Sequence, residues 1–267
     1  MPKLSAKIVW LTGASSGIGE ALCYELARRG ARLILSARRK EELERVKGNC
    51  PKKTQPNIRI LPLDLAEPTT LQLSARAAIQ VFGHLDVLIN CGGISQRSLA
   101  HETILEVDRK IMEVDYFGAI SLAKYLLPHF LKRKQGHFVI VSSVMGIIGT
   151  PYRSGYAAAK HALHGFFDSL RAEVWREKIF VTIICPGWVR TNVTINALTG
   201  DGTALNQMDQ TTARGLKPEY VARKIIRAIE KRKEEVYIGG RKEKFAVYMK
   251  RFFPGIYSRI VRKAKVR

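Results

Sequence analysis

The chain has 267 residues, 46% of them hydrophobic and 25% charged, the composition of a soluble globular protein able to bury one large core. No run approaches the roughly eighteen apolar residues of a membrane span, and MPKLSAKIVWLTG carries no signal-peptide pattern. The four cysteines (Cys23, Cys50, Cys91, Cys185) show no CxxC or CxxH spacing, so neither a disulfide framework nor a metal site is indicated and a cytoplasmic location is expected. The formal charge is +22, and residues 214–267, with 18 Lys/Arg against 5 Asp/Glu, hold +13 of it; the excess belongs to the tail.

The first strand, KIVWLTG (7–13), feeds a helix over 17–29 through a turn whose glycines are Gly13, Gly17 and Gly19. Gly13 permits the tight turn, Gly17 the close approach of a phosphate, and Gly19 the packing of helix on sheet. The helix N-terminus then presents free N–H groups to a pyrophosphate, with Ser15, Ser16 and Ile18 beside it. The spacing G-x3-G-x-G differs from G-x-G-x-x-G, and no Lys-Ser/Thr pair follows as in a P-loop.

RLILSA (32–37) is the second strand, left through Arg38 and Arg39 with no acid before Glu41. An acid there would hold a ribose 2′-hydroxyl, whereas paired guanidinium donors suit a 2′-phosphate. NADP(H) is therefore favoured over NAD(H); the other reading of this pair is a solvated helix start. A helix over 40–47, a strand NIRILPLDL (57–65), a helix over 68–82, a strand LDVLINC (85–91) and a helical pattern over 102–133 come next. HFVIVSS (137–143), a helix over 155–177, FVTIICPG (180–187), a helix over 218–233 and EVYIGG (235–240) complete the alternation. Strands apolar on both faces, alternating with helices, imply an α/β fold: one doubly wound, seven-stranded parallel sheet over residues 1–240, followed by a basic tail over 241–267.

Ser142 and Ser143 end a strand thirteen residues before Tyr156, and Lys160 follows Tyr156 by one helical turn. With TGASSGIG (12–19), the LDL of Asp64, NCGG (90–93) and PGWVRT (186–191), this set resembles the short-chain dehydrogenase/reductase family over residues 5–240. SQRSL (95–99) and KHALHGFFDSLR are most similar to the dehydrogenase/reductase member 7-like branch and its bacterial relatives. By itself the Tyr/Lys pair would read as helix-surface decoration; Ser143 and the glycine turn give it meaning. Hydride transfer to a carbonyl needs a proton donor at its oxygen. A free tyrosine titrates near pH 10, and an ammonium four residues on, on the same helix face, favours the phenolate. Tyr156 is the expected acid/base, Lys160 its electrostatic partner and Ser143 the donor to the substrate oxygen.

The resemblance implies further contacts. Asp64 and Leu65 should flank the adenine, Asn90 and Gly92 should lie along the cofactor, and Pro186, Gly187, Val189 and Thr191 should bracket the nicotinamide amide. A homodimer or homotetramer is also implied. Two positions depart from the family pattern. Its N-N-A-G reads Asn90-Cys91-Gly92-Gly93 here, where Cys91 is expected to be a small buried residue. The family's fourth catalytic member, an asparagine, is Asp115; a carboxylate about 6 Å from Lys160 would interact with it by roughly 3 kcal/mol.

A substrate lid is expected over 192–215, with Ile195, Leu198, Leu205 and Met208 on it and Ile147, Ile148 and Tyr152 on the rim, which favours a lipophilic carbonyl or secondary alcohol. The tail has 10 Lys/Arg and one Glu over 241–267, with Phe245, Tyr248, Phe252, Ile256 and Ile260 recurring at helical steps around Pro254-Gly255. A helix-break-helix of this kind suits an anionic membrane surface; it suits equally a helix docked on this domain or on a second subunit. No nucleic-acid recognition module is present. Two functions stand at this point: an NADP(H)-dependent oxidoreductase, and a catalytically impaired nucleotide-binding scaffold or sensor signalled by Asp115 and held at a membrane by the tail.

Overall fold

A computed structural model describes residues 4–264; residues 265–267 of the tail lie outside the described residues. Seven strands form one parallel sheet in the order β3-β2-β1-β4-β5-β6-β7: β1 (Ile8–Thr12), β2 (Arg32–Ser36), β3 (Ile58–Ile60), β4 (Val87–Asn90), β5 (Gly136–Val141), β6 (Ile179–Pro186) and β7 (Glu235–Ile238). The alternation read from sequence holds. β3 is shorter than expected because the chain leaves the sheet plane after Ile60, although Leu61 and Leu63 still donate to the carbonyls of Leu35 and Ala37.

Successive strand residues point to opposite faces, and the two faces of β1 show how the layers are built. Val9 and Leu11 pack into one core with α1 (Gly17–Arg28), α2 (Lys40–Gly48) and α8 (Pro218–Glu230). Ile8 and Trp10 pack into the other with α3 (Pro68–Phe82), α5 (Gly118–Arg133) and α6 (Ser154–Val174). Strands buried on both faces explain the continuous apolar runs in the sequence.

The helical pattern over 102–133 is not one helix. α4 (Leu105–Met112) and α5 are joined by a π-turn, Glu113–Phe117. The wider turn carries Asp115, buried at 1% exposure; such turns recur at functional sites. The expected lid contains a short helix, α7 (Gln210–Ala213), and is stitched down at Leu198, which pairs with Gln96. The tail is α9 (Arg241–Phe252) and α10 (Pro254–Val261), broken at Phe253 as the Pro254-Gly255 pair implied.

Strand order reverses between β1 and β4, and the cleft at the carboxyl ends of these strands is where doubly wound sheets take ligands. A cavity of about 720 Å³ lies there, lined by the glycine turn, by Arg38 and Arg39, and by Ser143, Tyr156 and Lys160.

Candidate active site

The glycine turn is built as its sequence requires. Gly13 has φ +65°, and a Cβ on it would stand 2.6 Å from the backbone nitrogen of Gly92. A Cβ on Gly19 would meet the carbonyl oxygen of Gly13 at 2.1 Å, so the start of α1 can pass only a bare Cα against the turn. Ser15, Ser16, Gly17 and Ile18 continue the same wall, and Arg38, Arg39, Asp64 and Leu65 stand at the end belonging to β2 and β3. Asp64 accepts the Ala66 N–H at 3.0 Å, which shapes the turn after β3.

The other expected contacts divide. Gly92, Pro186, Gly187, Val189 and Thr191 all line the cavity. Asn90 does not; it is buried at 4% exposure and donates to the Ala119 carbonyl at 3.1 Å, tying β4 to α5. Its side chain joins β4 to α5 and does not itself line the cavity. Gly92 replaces the family's alanine, and a Cβ there would approach Leu65 Cδ1 at 2.7 Å. Cys91, expected to be a small buried residue, is instead half-buried and lines the cavity; desolvation pushes its thiol up to about 12, against the opposing pull of Lys160.

Ser143 caps the turn after β5, its Oγ accepting the Met145 N–H at 3.1 Å. Ser142 is aimed elsewhere: its Oγ lies 3.2 Å from His164 Nε2 and 3.4 Å from the Lys160 carbonyl. Both serines line the cavity, Ser142 engaged with His164 and Ser143 with the Met145 N–H. α6 is anchored at its start by Gln96, whose Oε1 accepts the Gly155 N–H at 2.8 Å and the Tyr156 N–H at 3.4 Å. These N–H groups have no partner within the helix, so Gln96 fixes where Tyr156 enters the cavity.

Lys160 Nζ stands 5.5 Å from the centroid of the Tyr156 ring. It also pairs with Asp115 at 3.1 Å, and both side chains are at most 5% exposed. The separation is half the 6 Å expected from sequence, because the π-turn brings the carboxylate directly against the ammonium. Asp115 Oδ1 accepts the Ile94 N–H at 2.7 Å. Burial raises the Asp115 carboxyl above the usual carboxylate range despite the lowering by Lys160 and the Ile94 N–H. Burial would lower Lys160, but Asp115 and Tyr156 outweigh it and hold the ammonium above its ordinary value.

The sequence did not single out Arg97, Arg153 or Trp188, which also line the cavity. Arg153 stacks on Trp188 at 4.6 Å, and Arg97 ion-pairs with Asp209 of the lid at 3.3 Å. The legible signal was a basic residue three positions before Tyr156 and another in SQRSL. Conversely, Ile147 and Ile148 are not on the rim; they pack with Val144, Met145 and Val247 under α9. Tyr152 is also absent from the cavity wall, and of the four lid apolar residues only Leu198 reaches it.

Comparison with known proteins places this geometry. Residues 7–201 match the short chain dehydrogenase family. The chain is 41% identical over 268 residues to a "Dehydrogenase/reductase SDR family protein 7-like" of Drosophila melanogaster, covering 99% of this chain and 82% of that one. It is 41% identical over 259 residues to "Dehydrogenase/reductase SDR family member 7B" of Bos taurus, covering 95% and 80%. A short-chain dehydrogenase from Streptomyces avermitilis superposes with a TM-score of 0.80 at 26% identity, covering 97% of this chain and 98% of that one. A short chain dehydrogenase/reductase from Burkholderia phymatum, solved in complex with NAD, superposes at 0.82 with 20% identity and 96% coverage of both chains. The chain therefore belongs to the short-chain dehydrogenase/reductase family, in its member 7-like branch.

Proposed function

We propose that the protein is an NADP(H)-dependent oxidoreductase interconverting a carbonyl and a secondary alcohol on a lipophilic substrate, with Tyr156 as acid/base. The observation that carries this reading is the convergence of Ser143, Tyr156 and Lys160 on a cavity that also holds the glycine turn. The turn fits a dinucleotide: bare glycines at Gly13 and Gly19 let it pack tightly against Gly92 and on itself, and it lines the cavity at the start of α1, where helix N–H groups suit a phosphate. Gly13 to Gly19 would hold the pyrophosphate, Arg38 and Arg39 a 2′-phosphate, Asp64 and Leu65 the adenine, and Pro186 to Thr191 the nicotinamide amide. When bound, the cofactor supplies or accepts the hydride. Tyr156 delivers the proton to the carbonyl oxygen or removes it from the alcohol, Ser143 donates a hydrogen bond to the same oxygen, and the Lys160 ammonium favours negative charge on the phenol oxygen. Ile94, Met145, Trp188 and Leu198 give the cavity its apolar walls, which supports a lipophilic body for the substrate.

Titration with NADPH and NADH, with a scan of ketones and aldehydes, tests the reading. NADPH should bind at least about tenfold tighter than NADH if Arg38 and Arg39 hold a phosphate. Tyr156→Phe should lower turnover by about a hundredfold or more. Tight cofactor binding with no turnover, unchanged by Tyr156→Phe, would instead support the scaffold.

The tail reading has its own support. One face of α9 and α10 docks beside the catalytic turn: Val247 is buried at 5% exposure, and Tyr257 donates to the Gly149 carbonyl at 2.7 Å. The outward face presents Phe245, Tyr248, Phe252, Phe253, Ile256 and Ile260, each between 53% and 67% exposed, among Lys/Arg side chains. No helix among the described residues is long and apolar enough to cross a membrane. An aromatic face ringed by cations suits the interface of an anionic bilayer, which supports a peripheral position on such a surface. The intact chain should float with phosphatidylserine vesicles and a chain lacking 241–267 should not; a stable homodimer or homotetramer lost on the same truncation, with no flotation, would assign the face to a second subunit.

A further inference from the structure

Away from the active-site cleft, a second cavity of about 310 Å³ lies between α8, β7 and the start of α9. Five cations line it, Lys224, Arg227, Lys231, Lys233 and Lys244, and no carboxylate does. Tyr220, Lys224, Arg227 and Lys231 follow one another at steps of four, three and four along α8 and its C-cap, so they form a single stripe. Lys233 lies in the turn to β7, and Lys244 comes from the first turn of α9. Elsewhere on α8 charge is paired: Arg223 lies 3.9 Å from Glu25, and Glu230 lies 3.9 Å from Arg29. The five cavity cations have no ion pair among the described residues; Lys224 stands instead over the Tyr220 ring, its Nζ 5.2 Å from the centroid.

The negative end of the α8 dipole accounts for Arg227 and Lys231 in and after the last turn. It does not account for Lys224, in the middle of the helix, or for Lys244, which another element brings in. Like charges gathered on a concave surface focus their field outward and raise the local concentration of an opposite charge. β7 is the last strand of the sheet, an edge where a second copy of the chain has room to sit. A two-fold contact would set the same patch against itself, five cations facing five, so the charge selects an anion. A phosphomonoester carries close to two negative charges near neutrality and three acceptor oxygens, which ammonium and guanidinium donors converging from separate elements can share. Lys244 immediately precedes Phe245, and Tyr248 and Phe252 follow on α9, all three exposed. An anion seated here therefore lies beside the aromatic face of the tail.

We propose that this cavity binds the phosphomonoester headgroup of a membrane lipid while the aromatic residues of α9 enter the same bilayer. This rests on the peripheral-membrane reading of the tail and adds a selectivity that the solvated cations of α10 cannot supply, since those answer to any anionic surface.

The test uses the full chain and vesicles of phosphatidylcholine carrying either phosphatidylserine or phosphatidylinositol 4-phosphate, the two sets matched in zeta potential so that general attraction is equal. Co-sedimentation should show partitioning at least about fivefold tighter to the phosphatidylinositol 4-phosphate vesicles, and soluble inositol 1,4-bisphosphate should abolish the difference. Lys224→Gln/Lys231→Gln should bring the ratio to about one. Arg259→Gln/Arg262→Gln removes the same charge from α10 and its C-cap, outside the cavity, and should weaken both vesicles alike while leaving the ratio. Equal binding to the matched vesicles overturns the proposal, as does a preference that survives in the cavity variant or is lost as fully in the α10 variant. Where the cavity variant fails to fold, the wild-type ratio and its competition by inositol 1,4-bisphosphate decide. Flotation on phosphatidylserine without any preference keeps the membrane reading and removes the headgroup site. Binding of inositol 1,4-bisphosphate in calorimetry with no vesicle binding removes the membrane, and the lipid with it. A dimer that dissociates in the cavity variant, with equal binding to both vesicles, assigns this edge to a second copy and refutes the headgroup site.

Discussion

Replacing Asp115 by asparagine removes one charge and almost no volume, so it isolates the pair that distinguishes this site. At 3.1 Å the attraction between two unit charges is about 5 kcal/mol at an effective dielectric of 20. The amide oxygen of Asp115→Asn can still accept the Ile94 N–H that Oδ1 accepts at 2.7 Å, so the π-turn should hold. What changes is Lys160. Burial favours its neutral form, and Asp115 is the largest single influence opposing burial; without it the ammonium loses its proton at lower pH. The field that favours negative charge on Tyr156 then disappears earlier as pH rises, and the alkaline limb of kcat/KM moves to lower pH. Profiles measured from about pH 5 to about pH 10 should show the alkaline limb displaced towards acid with activity retained at its maximum. A profile superimposable on the wild type would refute the electrostatic account. A folded variant inactive at every pH would show instead that the carboxylate itself takes part in the chemistry.

Two further outcomes follow from the fold that holds the site. Gly13→Ala should bind cofactor at least about a hundredfold more weakly, because a side chain at φ +65° and 2.6 Å from the Gly92 nitrogen forces the turn away from β4; unchanged nicotinamide fluorescence titration would contradict this. Asp86 accepts from Ile8 N at 3.0 Å, from Arg133 at 3.1 Å and from Gln135 at 3.0 Å, linking β1, α5 and β5. Burial opposes its ionisation, yet the Ile8 and Arg133 hydrogen bonds and the Lys7 charge prevail and hold it below the usual carboxylate range. Its contribution is therefore fully present above the ordinary value near pH 4 and lost as pH falls through the lower folded value. Asp86→Ala should cost about 2–3 kcal/mol in denaturant unfolding near neutrality, a deficit that shrinks in acid; a deficit constant with pH would argue against the ionic account.

The fold was legible because its physics is local and periodic. Strands buried on both faces must be apolar throughout, and α8 declares itself through Val221, Ala222, Ile225, Ile226 and Ile229 on one face. The proton-transfer set was legible for a similar reason: Tyr156 and Lys160 share one helix, and Ser143 ends the strand just before it. Residue order along a strand end does not say which side chain faces the cleft, so the turn of Asn90 towards Ala119 was not legible. Asp115 was identified, but its distance to Lys160 was not, since a regular helix over 102–133 gives no hint of the π-turn that swings the carboxylate inward.

Arg97 and Arg153 were missed for a stronger reason. They are separated by fifty-five residues and come together only because β4 and β5 are neighbours in the sheet, with Gln96 holding the start of α6 at its backbone. In a chain with 45 Lys/Arg, two more arginines carry no local signal; burial alone separates them from the solvated majority. The same argument divides the net charge. Cations on the outward face of α9 and α10 meet water at little cost and respond to any anionic surface within a Debye length. Arg153 at 2% exposure has given up its hydration and is held by the fold, stacked on Trp188 at 4.6 Å. A basic sequence thus has two kinds of positive charge: a solvated majority that answers to anionic surfaces, and a buried few that hold the lining of the cavity in place.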